Sequence, residues 1–498
     1  MSCSKKEPKI KEVENNSNTI YAAEAPYYFT ATSNCSNNRI DLQSLIDIAA
    51  ANNKRLVIEK DVYCIDGSLN IPSNIEIDFS GSTIVRETNT NPILVFDMIV
   101  NKTPSIGNKH ITLKNLIIDG QYQIDNLSNN TDAQGSGGDL FSGLKLENCT
   151  QSKLENITVK NTVNAEEDVD TPAAGIFITD CSYIECNKIN GYYNLGTAII
   201  VYESNNITIH ESKTENNLGT GLSTILSDFC SLYNLTSHNN GHFQYTTSQG
   251  QIEERVYSNI SINGKYSQIN GVITSNASGS GLNIGHPANP TYLNGTPADF
   301  TIIDNVFSFH NSIEGITIRN TNDLLLSNIH VQENFRNNLL ISNNSSRIKI
   351  NNIISNGYYV DNVLSKGVQR NSNQYGHGIS ILGGGGHSIN NASIYNNYKS
   401  GIYIENVNGG ASINGGSQIF NNGKLLADNV NEIKSGIHIV NSYFCRINAA
   451  KIYDDQSTSN KTQDYGIYVS GGGNNKTIYS DIFWNIINDI QGPIDIIN

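Results

Sequence analysis

The chain has 498 residues, a formal net charge of −14 and a pI of about 5.2, with 38% hydrophobic and only 16% charged residues. So small a charged fraction argues against intrinsic disorder, which normally needs high net charge and few apolar residues. Lys and Arg occur singly or in adjacent pairs. This argues against nucleic acid as a main partner, because affinity for phosphate backbones comes from clustered cations. Polarity comes instead from Asn, Ser, Thr and 42 Gly, residues that suit tight turns.

The N-terminal residues 1–30 are predicted to be a flexible polar tether. The opening Met1-Ser2-Cys3-Ser4-Lys5-Lys6-Glu7 resembles a bacterial lipoprotein cut just before its lipid-bearing cysteine. No apolar stretch approaches the roughly 20 residues that span a bilayer, so we expect membrane contact only through a lipid on Cys3. The sequence therefore predicts a secreted protein or an outer-surface lipoprotein of a bacterium. A disordered tail with a chance cysteine is the alternative.

Residues 31–105 are predicted to hold an N-terminal cap and the first coils. An amphipathic helix is expected over 41–50, because its apolar side chains fall on one stripe: Leu42, Leu45, Ile46 and Ala49. Such a helix can cover the open end of a stack of strands, whose unpaired edges would otherwise invite aggregation. Strands are expected to follow at 55–58, 63–65 and 75–79.

A glycine-led phrase (Gly, apolar, any, apolar) recurs through residues 106–498. Clear copies begin at Gly143, Gly175, Gly281, Gly315, Gly378, Gly401, Gly436 and Gly466. In Asn338-Leu-Leu-Ile an Asn replaces the Gly. Most copies are followed by a second apolar phrase, such as 206–209, and by a third that ends in Asn, such as 329–334.

The repeat length predicts the fold. The shortest intervals are 21 residues, from Gly175 to Gly196, and 23 residues, from Gly315 to Asn338. Three short strands with three turns need about that length. One such turn cannot bury its apolar side, but coils stacked about 4.8 Å apart bury it continuously. We therefore predict an all-β fold, a right-handed parallel β-helix of three-strand coils over 106–498 with an N-terminal capping α-helix.

Longer intervals locate insertions in the coils. They fall at 164–172, 286–298, 358–376 and about 424–434, mostly just before the Gly phrase. Loops gathered on one edge of a solenoid usually wall a binding face. The sequence therefore predicts a binding trough on the Gly-phrase side.

The eight cysteines are dispersed and form no Cys-x-x-Cys pair. This pattern argues against a zinc site and does not indicate a disulfide scaffold. Cys149 and Cys181 both lie six residues after the Gly of their coil, so we expect them to stack in the interior as ladder residues.

The cap and first strands also carry a family resemblance. The segment from Asp41 to Val85, with the helix followed by RLVIEKDVYCIDGSLNIPSNIEIDFSGSTIV and then by Gly-Ile-x-Ile coils, resembles the pectin lyase-like superfamily. That group holds polygalacturonases, pectate and alginate lyases, uronan epimerases and phage tailspikes. The resemblance spans about Asn34 to the C-terminus and implies a β-helix that handles polysaccharides.

One fragment is similar to polygalacturonases in particular. Gly376-His377-Gly378-Ile379-Ser380-Ile381 matches their Gly-His-Gly-Ile-Ser-Ile phrase, whose His lies beside catalytic aspartates. The Asn-Thr-Asp and Asp-Asp phrases of that family are absent before His377, and Arg347-Ile348-Lys349 precedes the fragment instead of following it. The resemblance therefore implicates His377 without the aspartates that it would serve.

In each Gly phrase the apolar positions are expected to point inward, so the residue before Gly and the alternate positions should face solvent. These outward positions form the densest run of ionisable and aromatic residues on this face. The predicted catalytic candidates are Glu314, Arg319, Arg336, His377, Tyr403 and Glu405; the predicted substrate-binding candidates are Asn283, His286, Asn337 and His438.

Three reactions suit such a face. Hydrolysis needs two carboxyls about 5–9.5 Å apart, whereas Glu314 and Glu405 are three coils, or about 14 Å, apart. β-Elimination needs a base beside the sugar C5 and a cation for the substrate carboxylate. His377 or Tyr403 would supply the base and Arg319 or Arg336 the cation, without a carboxylate pair. Epimerisation uses similar groups with a second proton donor.

We therefore predict an extracellular polysaccharide-degrading enzyme, a lyase acting on a uronic-acid-containing glycan by β-elimination. The alternatives are a polygalacturonase-like glycoside hydrolase and a non-catalytic glycan-binding, adhesive or tailspike-like β-helix. The sequence assures no cofactor. Ca²⁺ is a possible ligand of the acidic loop 166–170, and 454–455 is a second acidic loop.

Overall fold

The computed structural model describes residues 19–21, 35–123, 140–163, 174–246, 252–285, 297–342, 345–357, 376–424, 433–478, 480–483, 485 and 487–497. The chain divides into two compact units, residues 1–231 and 232–498. In the described part of the chain, no helix has the length and apolar character needed to cross a bilayer.

The first unit contains one helix and short parallel strands. In chain order they are β1 (Thr19–Tyr21), α1 (Cys35–Ala51), β2 (Arg55–Val57), β3 (Val62–Ile65), β4 (Leu69–Ile71), β5 (Ile75–Arg86), β6 (Ile99–Asn101), β7 (Asn108–Lys109), β8 (Ile111–Asp119), β9 (Leu144–Glu147), β10 (Cys149–Lys160), β11 (Ile176–Thr179), β12 (Ser182–Tyr192), β13 (Ile199–Tyr202), β14 (Asn205–His210), β15 (Lys213–Glu215) and β16 (Leu222–Ile225).

The strands of the first unit stack in two parallel sheets. One sheet contains the shorter strands of the unit, in the order β4-β6-β9-β11-β13-β16. The other runs from β2 and β3 through β5, β8, β10 and β12 to β14 and β15. Thr19–Tyr21, which lie in the segment predicted to be a tether, form β1 and pair with β2.

The second unit continues with β17 (Ser231–His238), β18 (His242–Thr246), β19 (Ile252–Val256), β20 (Ile260–Ile262), β21 (Gln268–Ser275), β22 (Leu282–Ile284), β23 (Ile302–Phe309), β24 (Ile316–Arg319), β25 (Leu325–Gln332), β26 (Leu339–Ser342), β27 (Lys349–Asn356), β28 (Ile379–Leu382), β29 (Gly385–Tyr395), β30 (Ile402–Glu405), β31 (Gly409–Asn414), β32 (Gln418–Phe420), β33 (Ser435–Tyr443), β34 (Arg446–Asn448), β35 (Lys451–Tyr453), a 3₁₀ turn (Thr458–Asn460), β36 (Tyr465–Gly473), β37 (Lys476–Ile478), β38 (Asp481–Phe483), β39 (Asn488–Gln491) and β40 (Asp495–Ile497).

Here too the strands form two parallel stacks. The Gly-phrase strands pair in the order β20-β22-β24-β26-β28-β30-β33-β36-β39, which we call the Gly-phrase sheet. The longer strands pair as β21-β23-β25-β27-β29 and continue through β31 and β32 to β40, which we call the long-strand sheet. An antiparallel hairpin joins β18 to β19. The predicted right-handed parallel β-helix is confirmed.

The three-strand coil takes a slightly different form from the one expected. The second and third strands of a coil are joined into one bent strand, because a single left-handed residue turns the chain without breaking the ladder. Asn328, Asn352 and Asn391 occupy this bend with φ of 53°, 55° and 50°. Asn tolerates this conformation better than most residues do. We call these three residues the outer asparagine row.

The predicted cap is confirmed and is longer than expected. Helix α1 begins at Cys35 and buries Leu42, Ile46 and Ala49 against the first strands. A disulfide joins Cys35 to Cys64 on β3, a pairing that the dispersed cysteines did not suggest. Free Cys149 and Cys181 are buried, and the Cys149 amide N–H donates to Cys181 Sγ at 3.2 Å, which confirms the predicted ladder.

A second row of amides lies inside the second unit, where the coils end. The row contains Asn311, Asn334, Asn338, Asn397 and Asn422, and the Nδ2 of each of the first four donates to the Oδ1 of the next at 2.9–3.0 Å. All five side chains are buried. We call them the inner amide row. Buried amides need such partners, because an unpaired one costs about 1–3 kcal/mol.

The glycines of the Gly phrase leave room for this row. A Cβ added at Gly315, Gly378 or Gly401 would lie 2.6–2.8 Å from the Nδ2 of Asn334, Asn397 or Asn422 respectively. No positive φ accompanies these glycines, so close approach is the reason for their recurrence. Where Asn338 replaces Gly, its own amide takes the place in the row.

We expect Gly401→Ala to lower the free energy of unfolding by about 2–4 kcal/mol, since the new methyl overpacks the Asn422 amide and the Ile419 side chain. Gly415→Ala is the matched control, because its Cβ would meet only Ala449 at 3.7 Å. Urea unfolding of both variants measures the difference. Equal stability of the two would contradict the packing role of the Gly phrase.

Removal of the disulfide is expected to cost about 3–4 kcal/mol in the entropic account, because it closes a loop with a sequence separation of 29. The test compares thermal unfolding of the wild type and of the double variant Cys35→Ser, Cys64→Ser with and without dithiothreitol. Reductant should lower the wild-type Tm and leave that of the variant unchanged. A wild-type Tm that is insensitive to reductant, with full reduction verified by thiol titration, would refute this contribution.

Candidate functional site

The predicted site residues lie on one face of the Gly-phrase sheet. Parallel register stacks the middle positions of successive strands directly above one another, in the order Ser261, Asn283, Thr317, Leu340, Ser380, Tyr403, His438 and Tyr468. The residues that precede the Gly phrase reach the same face. Glu314 and Thr317 both contact the Ser280 hydroxyl, and the His377 ring stacks on Tyr403.

The expectation that these positions face solvent is wrong for Glu314, Asn337, His377 and Tyr403; the other described candidates are partly exposed, namely Asn283, Arg319, Arg336, Glu405 and His438. Glu314 is 1% exposed, and His377 and Tyr403 are each 2% exposed; Thr317 and Ser380 are fully buried. Side chains of neighbouring rows close over one another, as the imidazole of His377 does over the Tyr403 ring at 4.5 Å between centroids. Alternation therefore predicted the direction of these side chains correctly but not their exposure.

Glu314 is a buried carboxyl beside two arginines. Burial raises the pKa of Glu314, and the charges of Arg319 and Arg336 offset this rise only in part. Its Oε2 lies 3.5 Å from the Ser280 hydroxyl, and Oε1 has no hydrogen-bond partner. A buried carboxyl with a raised pKa and neighbouring cations is a typical acid–base group.

His377 and Tyr403 form the second cluster. The Ser400 amide donates to His377 Nδ1 at 3.1 Å, so the neutral imidazole carries its proton on Nε2. The Asn337 side-chain oxygen accepts the His377 backbone N–H at 3.0 Å and so positions this residue from the neighbouring coil. In the neutral ring Nε2 therefore carries a proton and cannot act as a base.

Tyr403 is a poor base at neutral pH. Burial, and then the charge of Glu405 beside it, raise the pKa of the Tyr403 phenol. The His438 ring contacts the rings of Tyr403 and Tyr468 edge-on, each with 5.2 Å between ring centroids. Burial lowers the pKa of His438 to about 4, which keeps this imidazole uncharged at neutral pH.

The remaining candidates are less closely engaged. Asn283 is partly buried and makes long contacts of 3.4 Å to Ser261 and to the Gly285 carbonyl. His286 lies outside the described residues, and so does most of each insertion expected to wall the face. Only the ends of the segments 286–298, 358–376 and 424–434 are described. Glu314 and Glu405 lie on coils three strands apart, so the carboxyl pair of a hydrolase is not assembled from them.

The predicted acidic loops give no described cation site. Residues 166–170 lie outside the described chain. Asp454 is buried, and its oxygens accept from the backbone N–H groups of Gln456, Thr462 and Gln463 at 2.8–3.2 Å. Its role is therefore to shape its loop. Within the described ranges, no three or more His, Cys, Asp or Glu side chains converge as a metal would need.

Three residues of this face were missed by the sequence analysis. Ser280 and Ser400 precede Gly281 and Gly401, and Tyr468 is the middle position of its Gly phrase. The positional rule that selects His377 and Tyr403 also selects these residues. Ser280 and Ser400 give no signal in the sequence, because Ser is common at surface positions. Tyr468 lies one coil beyond His438, the last of the predicted candidates.

The likenesses of this chain to known proteins are confined to solved structures at low sequence identity. No protein-family model matches the chain, and no curated protein sequence matches it. Among solved structures, it is similar to the A-module of mannuronan C-5 epimerase AlgE6 from Azotobacter vinelandii, with 10% identity, a TM-score of 0.42, and coverage of 93% of this chain and 95% of that one.

Two further structures are similar. The Dettilon tailspike protein has 14% identity and a TM-score of 0.43, covering 91% of this chain and 68% of its own. PfbA, a surface adhesin of Streptococcus pneumoniae, has 12% identity and a TM-score of 0.40, covering 76% and 86%. The strand pairing described above is the basis for the fold, a right-handed parallel β-helix.

Because the pKa of His438 is lowered from 6.5 to about 4, its protonation opposes folding. This stability is complete above pH 6.5 and is lost as the pH falls through 4, by no more than about 3 kcal/mol. We expect His438→Phe to reduce the loss of stability between pH 7 and pH 4, relative to wild type. His210→Phe, in the first unit, is the control. An unchanged pH profile in the His438 variant would contradict the assignment.

Proposed function

We propose that this protein acts on a polysaccharide at the face of the Gly-phrase sheet, as a lyase that cleaves a uronic-acid-containing glycan by β-elimination. The observation that carries the proposal is the Glu314 carboxyl, buried beside Arg319 and Arg336. Elimination next to a carboxylate requires a cation to stabilise charge on the substrate and a base for the C5 proton. This cluster contains both.

In the proposed reaction the uronate carboxylate binds between the two arginines. Glu314 in its ionised form takes the C5 proton, the C4–C5 double bond forms, and the C4–oxygen bond breaks. The protonated Glu314 then returns this proton to the leaving oxygen. A raised pKa makes its carboxylate a stronger base than an exposed one.

His377 takes a different role from that of a base. It lies two strands from Glu314, about 10 Å at the strand spacing, and its ring stacks on Tyr403, so this pair would position the sugar chain beside the reacting uronate. In this proposal the glycan lies along the stacked strands. The Glu314 cluster reacts with one sugar, and the His377 and Tyr403 cluster positions the neighbouring sugars.

A non-catalytic glycan-binding function is the second candidate. It is favoured by one observation: Glu314, His377 and Tyr403 are at most 2% exposed and so are poorly placed to react with a sugar, whereas Arg319 and Arg336 are partly exposed and can contact a sugar without catalysis. Such a protein would retain glycans without cleaving them.

We also propose that the protein works outside the cytoplasm. The Cys35–Cys64 disulfide supports this placement, because disulfides persist mainly in oxidising compartments. Attachment to a membrane would depend on a lipid at Cys3, which lies outside the described residues.

The test of lyase activity uses the full chain with a panel of polygalacturonate, alginate, glucuronan and neutral glycans, and follows the ultraviolet absorbance of the unsaturated uronate product beside a reducing-sugar assay. We expect absorbance to rise on one uronan. Glu314→Gln should lower kcat by about 100-fold or more, as expected for loss of an acid–base group. Arg319→Gln should lower kcat/KM.

The control is Arg446→Gln, an exposed arginine of the long-strand sheet, which should retain wild-type rates. Reducing ends without unsaturated product would indicate a hydrolase. Retention of a glycan with neither signal would support the binding function and end the lyase proposal.

A further inference from the structure

We propose that the second unit carries a separate binding groove for an uncharged oligosaccharide on its long-strand sheet. The groove has a volume of about 530 Å³ and crosses β25, β27, β29 and β32. It shares no lining residue with the Glu314 or His377 clusters and is independent of the lyase proposal.

One wall of the groove is the outer asparagine row. Asn352 Nδ2 donates to Asn328 Oδ1 at 3.1 Å, and Asn391 Nδ2 donates to Asn352 Oδ1 at 2.6 Å. All three side chains are exposed. A primary amide has two N–H donors and two acceptor lone pairs, so each residue retains capacity for a ligand while the row holds its orientation. The result is a pre-organised series of donors and acceptors, repeated at the strand spacing.

A bulge ends this wall. Asn390 pairs with Asn414 and Ser393 with Gln418, so the later strand contains one extra residue. Gly416, with φ of +81°, lies against Asn391 where another asparagine would continue the row. Bulges of this kind re-aim side chains and often adjoin functional sites. Here the missing side chain leaves space between the asparagine row and Gln418.

The rest of the lining is apolar or uncharged. Ile354 is 39% exposed at the middle of the groove, between His330 and Ser393 in the strand register. Burial lowers the pKa of His330, whose ring packs on Phe307 at 4.8 Å. None of the described residues that line the groove is Asp, Glu, Lys or Arg. A charged sugar would find no counter-charge here, whereas hydroxyl groups would find amides.

Aromatic stacking is not the means of recognition. Phe420 borders the groove, but its two faces are covered by Tyr395 at 4.9 Å and Tyr453 at 5.1 Å between ring centroids. The ring therefore presents an edge to the ligand. Ile354 supplies the apolar contact and the amides supply the hydrogen bonds, a combination that suits a neutral, hydroxyl-rich ring.

The test is isothermal titration calorimetry of the full chain with short neutral oligosaccharides of cellulose, mannan and chitin, and with galacturonate and mannuronate oligomers as the charged comparison. We expect at least one neutral oligosaccharide to bind. Ile354→Arg, which places bulk and an unpaired charge in the groove, should weaken that binding by about tenfold or more.

Ile302→Arg is the matched control, because Ile302 is 46% exposed on the same sheet and lies outside the groove. It should bind as wild type does, and Gln418→Ala, a milder change in the groove, should bind more weakly than wild type. Thermal unfolding confirms that each variant is folded. Glu314→Gln should leave neutral binding unchanged whatever happens to lyase activity.

Four results would overturn the proposal: no binding of any neutral oligosaccharide, equal binding by Ile354→Arg and wild type, loss of neutral binding in Glu314→Gln, or uronate binding that Ile354→Arg weakens more than neutral binding. The third result would place the sugar at the Gly-phrase sheet, and the fourth would change the ligand class.

Discussion

The structure of the second unit depends on a pairing between a glycine that opens a coil and an amide that closes it. The Nδ2 of Asn334, Asn397 or Asn422 fills the space where a Cβ of the matching glycine would lie, and bonds to the next coil. This contact therefore fixes the spacing and the strand register between neighbouring coils. The exception follows the same rule, since Asn338 both replaces a glycine and supplies the amide.

The register between neighbouring coils brings side chains that are distant in the sequence into one row. Because register is maintained from β22 to β36, the positions of Thr317, Tyr403 and His438 belong to one row although they are far apart in the chain. Some positions of this row are nevertheless buried, as Thr317 and Tyr403 are. Burial in turn sets the chemistry, raising the pKa of Glu314 and lowering that of His438.

The two sheets of this unit present opposite kinds of surface. The Gly-phrase sheet holds buried, ionisable groups beside arginines, and the proposed lyase reaction rests on this arrangement. The long-strand sheet holds exposed amides whose geometry is maintained by mutual hydrogen bonds, as between Asn352 and Asn391. If both proposals hold, one sheet binds a glycan and the other reacts with a glycan.

The sequence by itself determined the coil, the capping helix, the interior stacking of Cys149 with Cys181 and the face on which Glu314 and His377 lie. These follow from short-range periodicity, which the backbone obeys locally. Only the tertiary structure decided the exposure of that face, the Cys35–Cys64 disulfide, the hydrogen bond that sets the His377 tautomer and the groove beside the outer asparagine row. Each of these depends on the distance between coils and on the side chains that fill the space between them. The sequence of a single repeat does not contain this information.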